Sequence, residues 1–351
     1  TGVVSMQASN YNVYGISATQ LPNESLGLSG LDEGTVQAPT AYTSDWAMRS
    51  YVGRFNYNFK SLYYFTASFR ADGSSRFFPG HRWGYFPALS GAWRFYNEGF
   101  FRNLGFLSDG KLRLGWGQNG NNRVGDFDAY STITLPISMS YPINNVPYRG
   151  AGPTAIGNPE LKWETTEETN IGLDLGFLNN DITLTTEVYR KNTKDLLLRA
   201  DLAPSTGYAS AFKNIGSVQN EGLEFTLNTK NINKKNFQWS TSFNIAFNRN
   251  KVLGLNEGQN FMLTNIRWDN NWQNVPAYIA KVGQPIGQMY GFVSDGVYQL
   301  SDFVDNGNGT YTLKADVPNN GNSRANIKPG DIKYKDLNGD KIINSADYTV
   351  I

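Results

Sequence analysis

Cysteine is absent from the 351 residues, and histidine occurs once, at His81. Disulfides, thiolate metal sites and multi-histidine metal centres therefore lack material, as does any catalytic triad needing a His beyond that one. Absent cysteine fits an oxidising exterior compartment, though many cytosolic proteins also lack it. Long apolar runs are missing as well: Leu196–Leu198 stops almost at once, far short of the roughly 18 residues a transmembrane helix needs. An excess of either charge is also lacking. The net charge is +1, and no basic stripe appears, which argues against nucleic acid as a partner. The first residues, from Thr1, read as a loop without a signal peptide, so the start is either processed or internal.

What is abundant points to strands. The chain carries 20 Tyr, 21 Phe, 8 Trp and 36 Gly. Aromatic- and Thr-rich segments broken by Gly and Asn favour strands and turns over helices. The mean hydropathy of −0.45 looks soluble, yet a membrane barrel is compatible with it. A barrel strand alternates lipid-facing and lumen-facing residues, so averaging hides its apolar face.

Period-2 alternation yields roughly nine strands of the length a tilted barrel strand requires. Phe55, Tyr57 and Phe59 alternate with Arg54, Asn56, Asn58 and Lys60. Phe65, Ala67, Phe69 and Ala71 alternate with Thr66, Ser68, Arg70 and Asp72. Leu112, Leu114 and Trp116 interleave with Lys111, Arg113 and Gly115, and Ile171, Leu173 and Leu175 with Gly172, Asp174 and Gly176. Leu223, Phe225 and Leu227 oppose Glu224, Thr226 and Asn228. The cleanest run is Phe237–Phe247. An ordinary antiparallel sandwich with one wet face would show the same alternation. The connections favour a barrel. Lys60–Ser61, Leu178–Asp181 and Asn231–Lys235 are short, whereas Gly73–Arg82, Gly120–Lys162, Asp195–Val218 and Lys251–Pro285 are long. Barrels alternate short turns on one rim with long loops on the other. No blade motif recurs, which excludes a propeller.

Eight segments carry a family resemblance. They are DGSSRF (Asp72–Phe77), RWGYFPALSGAWR (Arg82–Arg94), KLRLGWGQNGN (Lys111–Asn121) and NPELKWETTEETNIGLDLGF (Asn158–Phe177). They continue with NIGSVQNEGLEFTL (Asn214–Leu227), NRNKVLGL (Asn248–Leu255), GQPIGQMYGF (Gly283–Phe292) and KPGDIKYKDLNGDKIINSADYTVI (Lys328–Ile351). In this order the chain resembles the SusC/RagA group of TonB-dependent outer-membrane receptors. The resemblance implies an all-β fold, part of an antiparallel transmembrane β-barrel of the roughly 22-stranded class with a plug in its lumen. It implies uptake of oligosaccharides or peptides through the outer membrane of a Gram-negative bacterium. A SusD-like surface lipoprotein would cap the barrel, and the TonB complex would supply energy through a short N-terminal segment. Neither a plug-like region nor that segment is visible, and the family would continue into more strands, so residues 1–351 read as part of one receptor barrel domain and rather less than half of a receptor. No catalysis and no required cofactor are expected. The alternative is a secreted or surface β-protein that binds or hydrolyses carbohydrate.

Candidate site residues follow from this reading. Arg54, Lys60, Arg70, Arg113, Asp174, Glu187 and Glu224 fall on the expected lumen face, where contact with a plug would satisfy most of them. His81 is a solvated loop residue. Glu167 with Glu168, or Glu221 with Glu224, would suit a glycosidase pair only if they shared a face, and adjacent strand residues do not. Loop aromatics that stack on sugar rings or apolar peptide side chains are Tyr141, Tyr148, Tyr208, Phe212, Trp268 and Trp272. Packing at the membrane rims or within loops is the competing role for each. Finally, Asp336, Asn338, Asp340, Asn344 and Asp347 occupy positions 1, 3, 5, 9 and 12 of a calcium-loop template, with the Ile342 carbonyl at position 7. Lys341 stands where the template has glycine, and Asp347 is shorter than the usual Glu. The alternative is a hairpin turning at Asn338–Gly339 between Ile332–Tyr334 and Ile342–Ile343.

Overall fold

The computed structural model describes residues 1–23, 25–99, 101, 105–135, 139–256, 258–266 and 275–351. The chain divides into two compact units, Thr1–Arg249 and Asn250–Ile351.

The first unit is built on nine antiparallel strands, each bonded to its sequence neighbours in the sheet. They are β1 (Gly2–Gly15), β2 (Thr40–Phe59), β3 (Tyr63–Ser74), β4 (Trp83–Trp93), β5 (Leu107–Asn121), β6 (Glu164–Phe177), β7 (Ile182–Lys194), β8 (Ser217–Lys234) and β9 (Phe237–Gly254). The last of these runs a few residues past the unit's limit. One expectation fails at the start. Gly2–Gly15 is a strand, paired with β2 from Gly2↔Gly53 to Gly15↔Thr40. Its mixed pattern of Ser, Asn, Gln and Val hides a strand that its neighbour specifies.

Turn chemistry sets the connections. Lys60 and Ser61 both adopt left-handed backbone, as do Leu178, Asn179 and Asn180. That geometry matches the twist of paired strands and closes tight hairpins. Residues 60–62 and 178–181 thus make short turns at one end of the sheet, where residues 235–236 also form a short connection and residues 94–106 a longer one. At the other end, residues 16–39, 75–82, 122–163 and 195–216 make the long connections. Lys60, expected on the lumen face, sits in a turn with its ammonium 5.2 Å from the Phe59 ring centroid.

Register makes the two faces chemically opposite. Tyr57, Phe65, Gly91, Leu114, Ile171, Val188 and Leu223 lie side by side across seven strands. One residue along, the row reads Asn58, Tyr64, Ala92, Arg113, Gly172, Glu187 and Glu224. The apolar face is uncovered: Phe55 is 59% exposed, Ile171 50% and Val188 51%. A soluble sandwich would bury that face against a second sheet. Lipid is the solvent that suits it. Aromatic stacks mark both ends of the apolar band. Tyr51–Trp83 and Phe69–Tyr85 lie toward the long connections, and Tyr57–Phe59 and Phe106–Phe177 toward the short turns.

Within the long connections the chain forms small hairpins rather than structureless loop. Ser140–Ile143 pairs with Val146–Arg149, and Leu197–Asp201 with Ser210–Asn214. In the second unit, Phe261–Ile266, Val275–Lys281, Gln288–Gly291 and Thr349–Val350 form a four-stranded sheet. Tyr298, Phe303, Leu313 and Ile327 form a buried cluster there, with the Tyr298 hydroxyl donating to the Pro318 carbonyl at 2.8 Å. Ile332–Tyr334 pairs with Ser294–Val297, so the hairpin expected between Ile332–Tyr334 and Ile342–Ile343 does not form.

Facing can be tested directly. Phe225 shares its cross-strand row with Leu112, Leu173 and Thr186, on the apolar face. An arginine at a lipid-facing midplane site costs roughly 2–4 kcal/mol. In the full-length receptor, Phe225→Arg should reduce the yield of heat-modifiable folded barrel on gels, while Glu224→Gln should leave it unchanged. Equal yields from both variants would invert the register.

Candidate translocation surface

The polar face carries an ordered charge network at its centre. The Arg113 guanidinium donates to Asp174 through Nε at 2.8 Å and Nη2 at 3.2 Å, and to Glu187 through Nη1 at 3.3 Å. Asn170 Nδ2 donates to the other Glu187 oxygen at 3.0 Å, and Thr185 Oγ1 to Asp174 at 3.1 Å. The side chains come from β5, β6 and β7, and alternation aims all of them to one side. Arg113 is about one-third exposed, as is Asp174. Such a half-wet network fixes side-chain positions more than it adds stability. Glu224 lies across from Glu187 and is exposed, with no hydrogen bond or ion pair to any described residue.

A second polar group lies on the same face of β2 and β3. Arg70 Nε sits 2.7 Å from both oxygens of Asp72, which is buried, and Arg70 Nη2 reaches Ser50 Oγ at 3.4 Å. Arg70 and Asp72 line a cavity of about 570 Å³ together with Arg54, Phe86, Gln118 and Trp163. Arg54 projects into it without a side-chain partner among the described residues, so its donors face the cavity. The surface therefore offers fixed carboxylates, one free guanidinium and an aromatic floor.

That floor is held by residues the strand pattern did not single out. Phe77, Phe86, Val124, Ala129, Leu161, Trp163 and Leu197 form a buried cluster, against which Met48, Tyr130 and Phe212 pack. The Trp163 ring lies 5.5 Å from both Phe77 and Phe86, and its Nε1 donates to the Arg82 carbonyl at 2.8 Å. A Cβ on Gly120 would sit 2.0 Å from the Phe86 ring, so only glycine admits that close approach. Nearby, Arg76 Nε pairs with Asp126 at 2.8 Å and its guanidinium covers the Trp46 ring at 5.0 Å. The signal for this cluster stood in the quoted segments: DGSSRF, RWGYFPALSGAWR and NPELKW supply Asp72, Ser74, Phe77, Phe86, Leu161 and Trp163, all buried.

The loop aromatics divide. Tyr141 and Tyr148 face each other across a hairpin, centroids 6.5 Å apart and both about half exposed. Phe212 packs on the loop cluster and is capped by the Arg199 guanidinium at 4.7 Å, a structural placement rather than an open one. Tyr208 is half-buried beside the turn at Pro204–Thr206 and makes no ring contact with either group among the described residues. Trp268 and Trp272 lie outside the described residues. His81 is half-exposed, with Nε2 3.4 Å from Glu160. Glu167 bonds to Gln118 while Glu168 pairs with Lys191, and Glu221 pairs with Arg190. The acids thus split between faces as expected, and none of these pairs forms a carboxylate dyad.

The segment Asp336–Asp347 closes on itself. Asp336 accepts the Gly339 and Lys341 N–H groups, both at 2.7 Å. Asp340 accepts from Ile342 N at 2.7 Å and Asn338 Nδ2 at 3.0 Å. Asp347, buried, accepts from Leu337 N and Asn344 N, and the Asn344 N–H is the main cause holding its carboxyl below the ordinary range. Asn344 bonds Ala346 N, and its own amide reaches the Ile342 carbonyl. Among the described residues no group of three or more His, Cys, Asp and Glu converges as a metal set.

A lipid-facing antiparallel wall with a polar inner face, short turns on one rim and large folded loops on the other defines the class: part of a large β-barrel of the outer-membrane type. A family model described as TonB dependent receptor-like, beta-barrel, matches residues 3–351, and the chain belongs to that family. It is 38% identical over 290 residues to the TonB-dependent receptor SusC of Bacteroides thetaiotaomicron, covering 79% of this chain and 29% of that protein. It is 34% identical over 326 residues to TonB-dependent receptor P39 of Formosa agariphila, covering 87% of this chain and 30% of that one. The fold is similar to the solved structure of the RagAB peptide transporter, with a TM-score of 0.73 and 24% identity over all of this chain and 35% of that one. The chain thus spans about 30% of the length of the curated relatives it matches. The secreted-protein alternative is set aside by the family match and by the uncovered apolar face.

Trp163→Ala should loosen the loop cluster by about 3–5 kcal/mol. The readout is limited proteolysis of the full-length receptor: cleavage within residues 122–163 should accelerate while the barrel keeps its heat-modifiable mobility. Unchanged cleavage would mean the cluster does not hold the loops.

Proposed function

We infer that this chain forms wall and external loops of an outer-membrane receptor that imports oligosaccharides or peptides. It acts with a SusD-like lipoprotein and draws energy from the TonB complex through other parts of the receptor. The observation that carries this reading is the opposed faces of the nine-stranded wall, apolar outward and hydrogen-bonded polar inward, with folded loops gathered on one rim. Kinship with SusC, and a fold shared with the RagAB peptide transporter, support nutrient uptake over catalysis. The exposed Tyr141–Tyr148 pair supplies aromatic surface of the kind sugar rings and apolar side chains stack on. Deleting the full reading frame in the source bacterium should abolish growth on one oligosaccharide or peptide mixture and spare growth on monosaccharides and free amino acids. Wild-type growth on every oligomeric nutrient would overturn the reading.

A separate proposal concerns calcium at Asp336, Asn338, Asp340, Ile342, Asn344 and Asp347. What favours it is Lys341, which holds left-handed backbone (φ 65) at the position where the template requires glycine. Each carboxylate oxygen engaged by an N–H keeps a second lone pair, so the closed loop is compatible with an added cation. Titration calorimetry of the purified receptor should show modest calcium binding that Asp336→Ala/Asp340→Ala removes and Lys341→Gly strengthens, since glycine carries no Cβ penalty there. Identical heats in all three proteins would leave a self-capped loop only.

A further inference from the structure

On the outward face the apolar surface stops at a common level on neighbouring strands. Reading toward the long connections, β6 presents Phe177, Leu175, Leu173, Ile171 and then Thr169, while β7 presents Ile182, Leu184, Thr186, Val188 and then Arg190. On β8, Leu227, Phe225 and Leu223 give way to Glu221, in register with Arg190. On β9, the outward parity runs from Phe237 through Phe247 before Arg249. On β9 the twelve residue steps from Phe237 to Arg249, at about 3.4 Å and tilted by about 40°, rise roughly 30 Å, against an apolar band of about 25 Å. Arg249 therefore sits at the headgroup level of the leaflet on the long-connection side, and Arg190 lies one outward position past Val188 on β7.

They also edge a groove. A depression of about 990 Å³ on this face is lined by Ile171, Val188, Leu223 and Phe247 below, and by Arg190, Glu221 and Arg249 at its upper end. Arg190 Nη2 lies 3.1 Å from Glu221 Oε2, which fixes one guanidinium and offsets one charge. Arg249 has no ion pair or side-chain hydrogen bond among the described residues. Among the described lining residues one net positive charge remains, above the apolar side chains of Ile171, Val188, Leu223 and Phe247.

The geometry points to a specific site for an anionic lipid of the surrounding leaflet, its phosphate on Arg249 and Arg190 and its acyl chains along Ile171, Val188, Leu223 and Phe247. Guanidinium suits phosphate because its fork of donors matches the oxygens. The groove lies on the sheet's outer face, so strands added beside β9 would extend the wall without covering it. The inference depends on the barrel, and not on which nutrient the receptor carries.

Native mass spectrometry of the full-length receptor in nonionic detergent tests it. The probes are dimyristoylphosphatidylglycerol and the matched phosphatidylcholine. The receptor should retain phosphatidylglycerol in preference, and Arg190→Gln/Arg249→Gln should lower that preference about tenfold. Lys230→Gln, at the short-turn end, should leave it intact. If the double variant does not give a heat-modifiable barrel, Arg249→Gln alone should still lower retention severalfold. Millimolar inorganic phosphate should fail to displace the lipid, because the acyl chains contribute. Equal retention by wild type and a folded Arg variant, or full displacement by inorganic phosphate, would overturn the site.

Discussion

Every strand of the wall answers to one constraint: in hydrocarbon a backbone N–H or C=O without a partner costs several kcal/mol. Antiparallel pairing in register across β1 to β9 satisfies those groups between strands, and the side chains are then free to differ completely between faces. This is why Tyr57, Leu114 and Val188 can stand half-exposed, while Arg113, Asp174 and Glu187 sit one residue away in a hydrogen-bonded network. The period of two does the sorting. A slip of one residue on β7 alone would put Glu187 into lipid and Val188 into the polar network.

The same constraint divides labour between wall and loops. The wall contributes little apolar burial of its own, since its outer face is solvated by lipid. Buried side chains concentrate instead in the loop cluster around Trp163 and in the cluster around Tyr298. Loop order therefore comes from packing of the globular kind, with Phe77, Phe86 and Leu161 closing on Trp163 and Gly120 leaving room for the Phe86 ring. The arrangement gives a receptor rigid external surfaces on a scaffold whose strength lies in backbone bonds.

Charge placement follows position relative to the membrane. Inward charges are paired across strands, as Arg113 is with Asp174 and Glu187, or left facing a wet cavity, as Arg54 is. On the described outward positions of β6 to β9, charge enters at Arg190, Glu221 and Arg249, past the apolar positions Val188, Leu223 and Phe247. In the second unit the acidic loop at Asp336–Asp347 is organised by its own backbone N–H groups.

Alternation and connection length, both local properties, were enough to read strands such as Phe65–Asp72 and Phe237–Phe247, their facing and the alternating rims from the sequence. Gly2–Gly15 escaped because its pattern is mixed and its partner, β2, lies beyond a connection of residues 16–39. Lys60 was misplaced because the turn at residues 60–62, left-handed at Lys60 and Ser61, ends the strand period there. The inner residues Arg113, Asp174 and Glu187 were legible as one face, yet their convergence needs the register of three strands. For Phe212 the sequence left ligand contact and loop packing both open, and non-local packing places it against the loop cluster. The sequence by itself determined which residues share the apolar face and which the polar one, since a strand's side chains alternate whatever lies beside it. Only the tertiary structure decided which polar groups bond to one another, where the loops pack, and that Arg190 and Arg249 edge one groove, because those relations depend on strands and loops far apart in the chain.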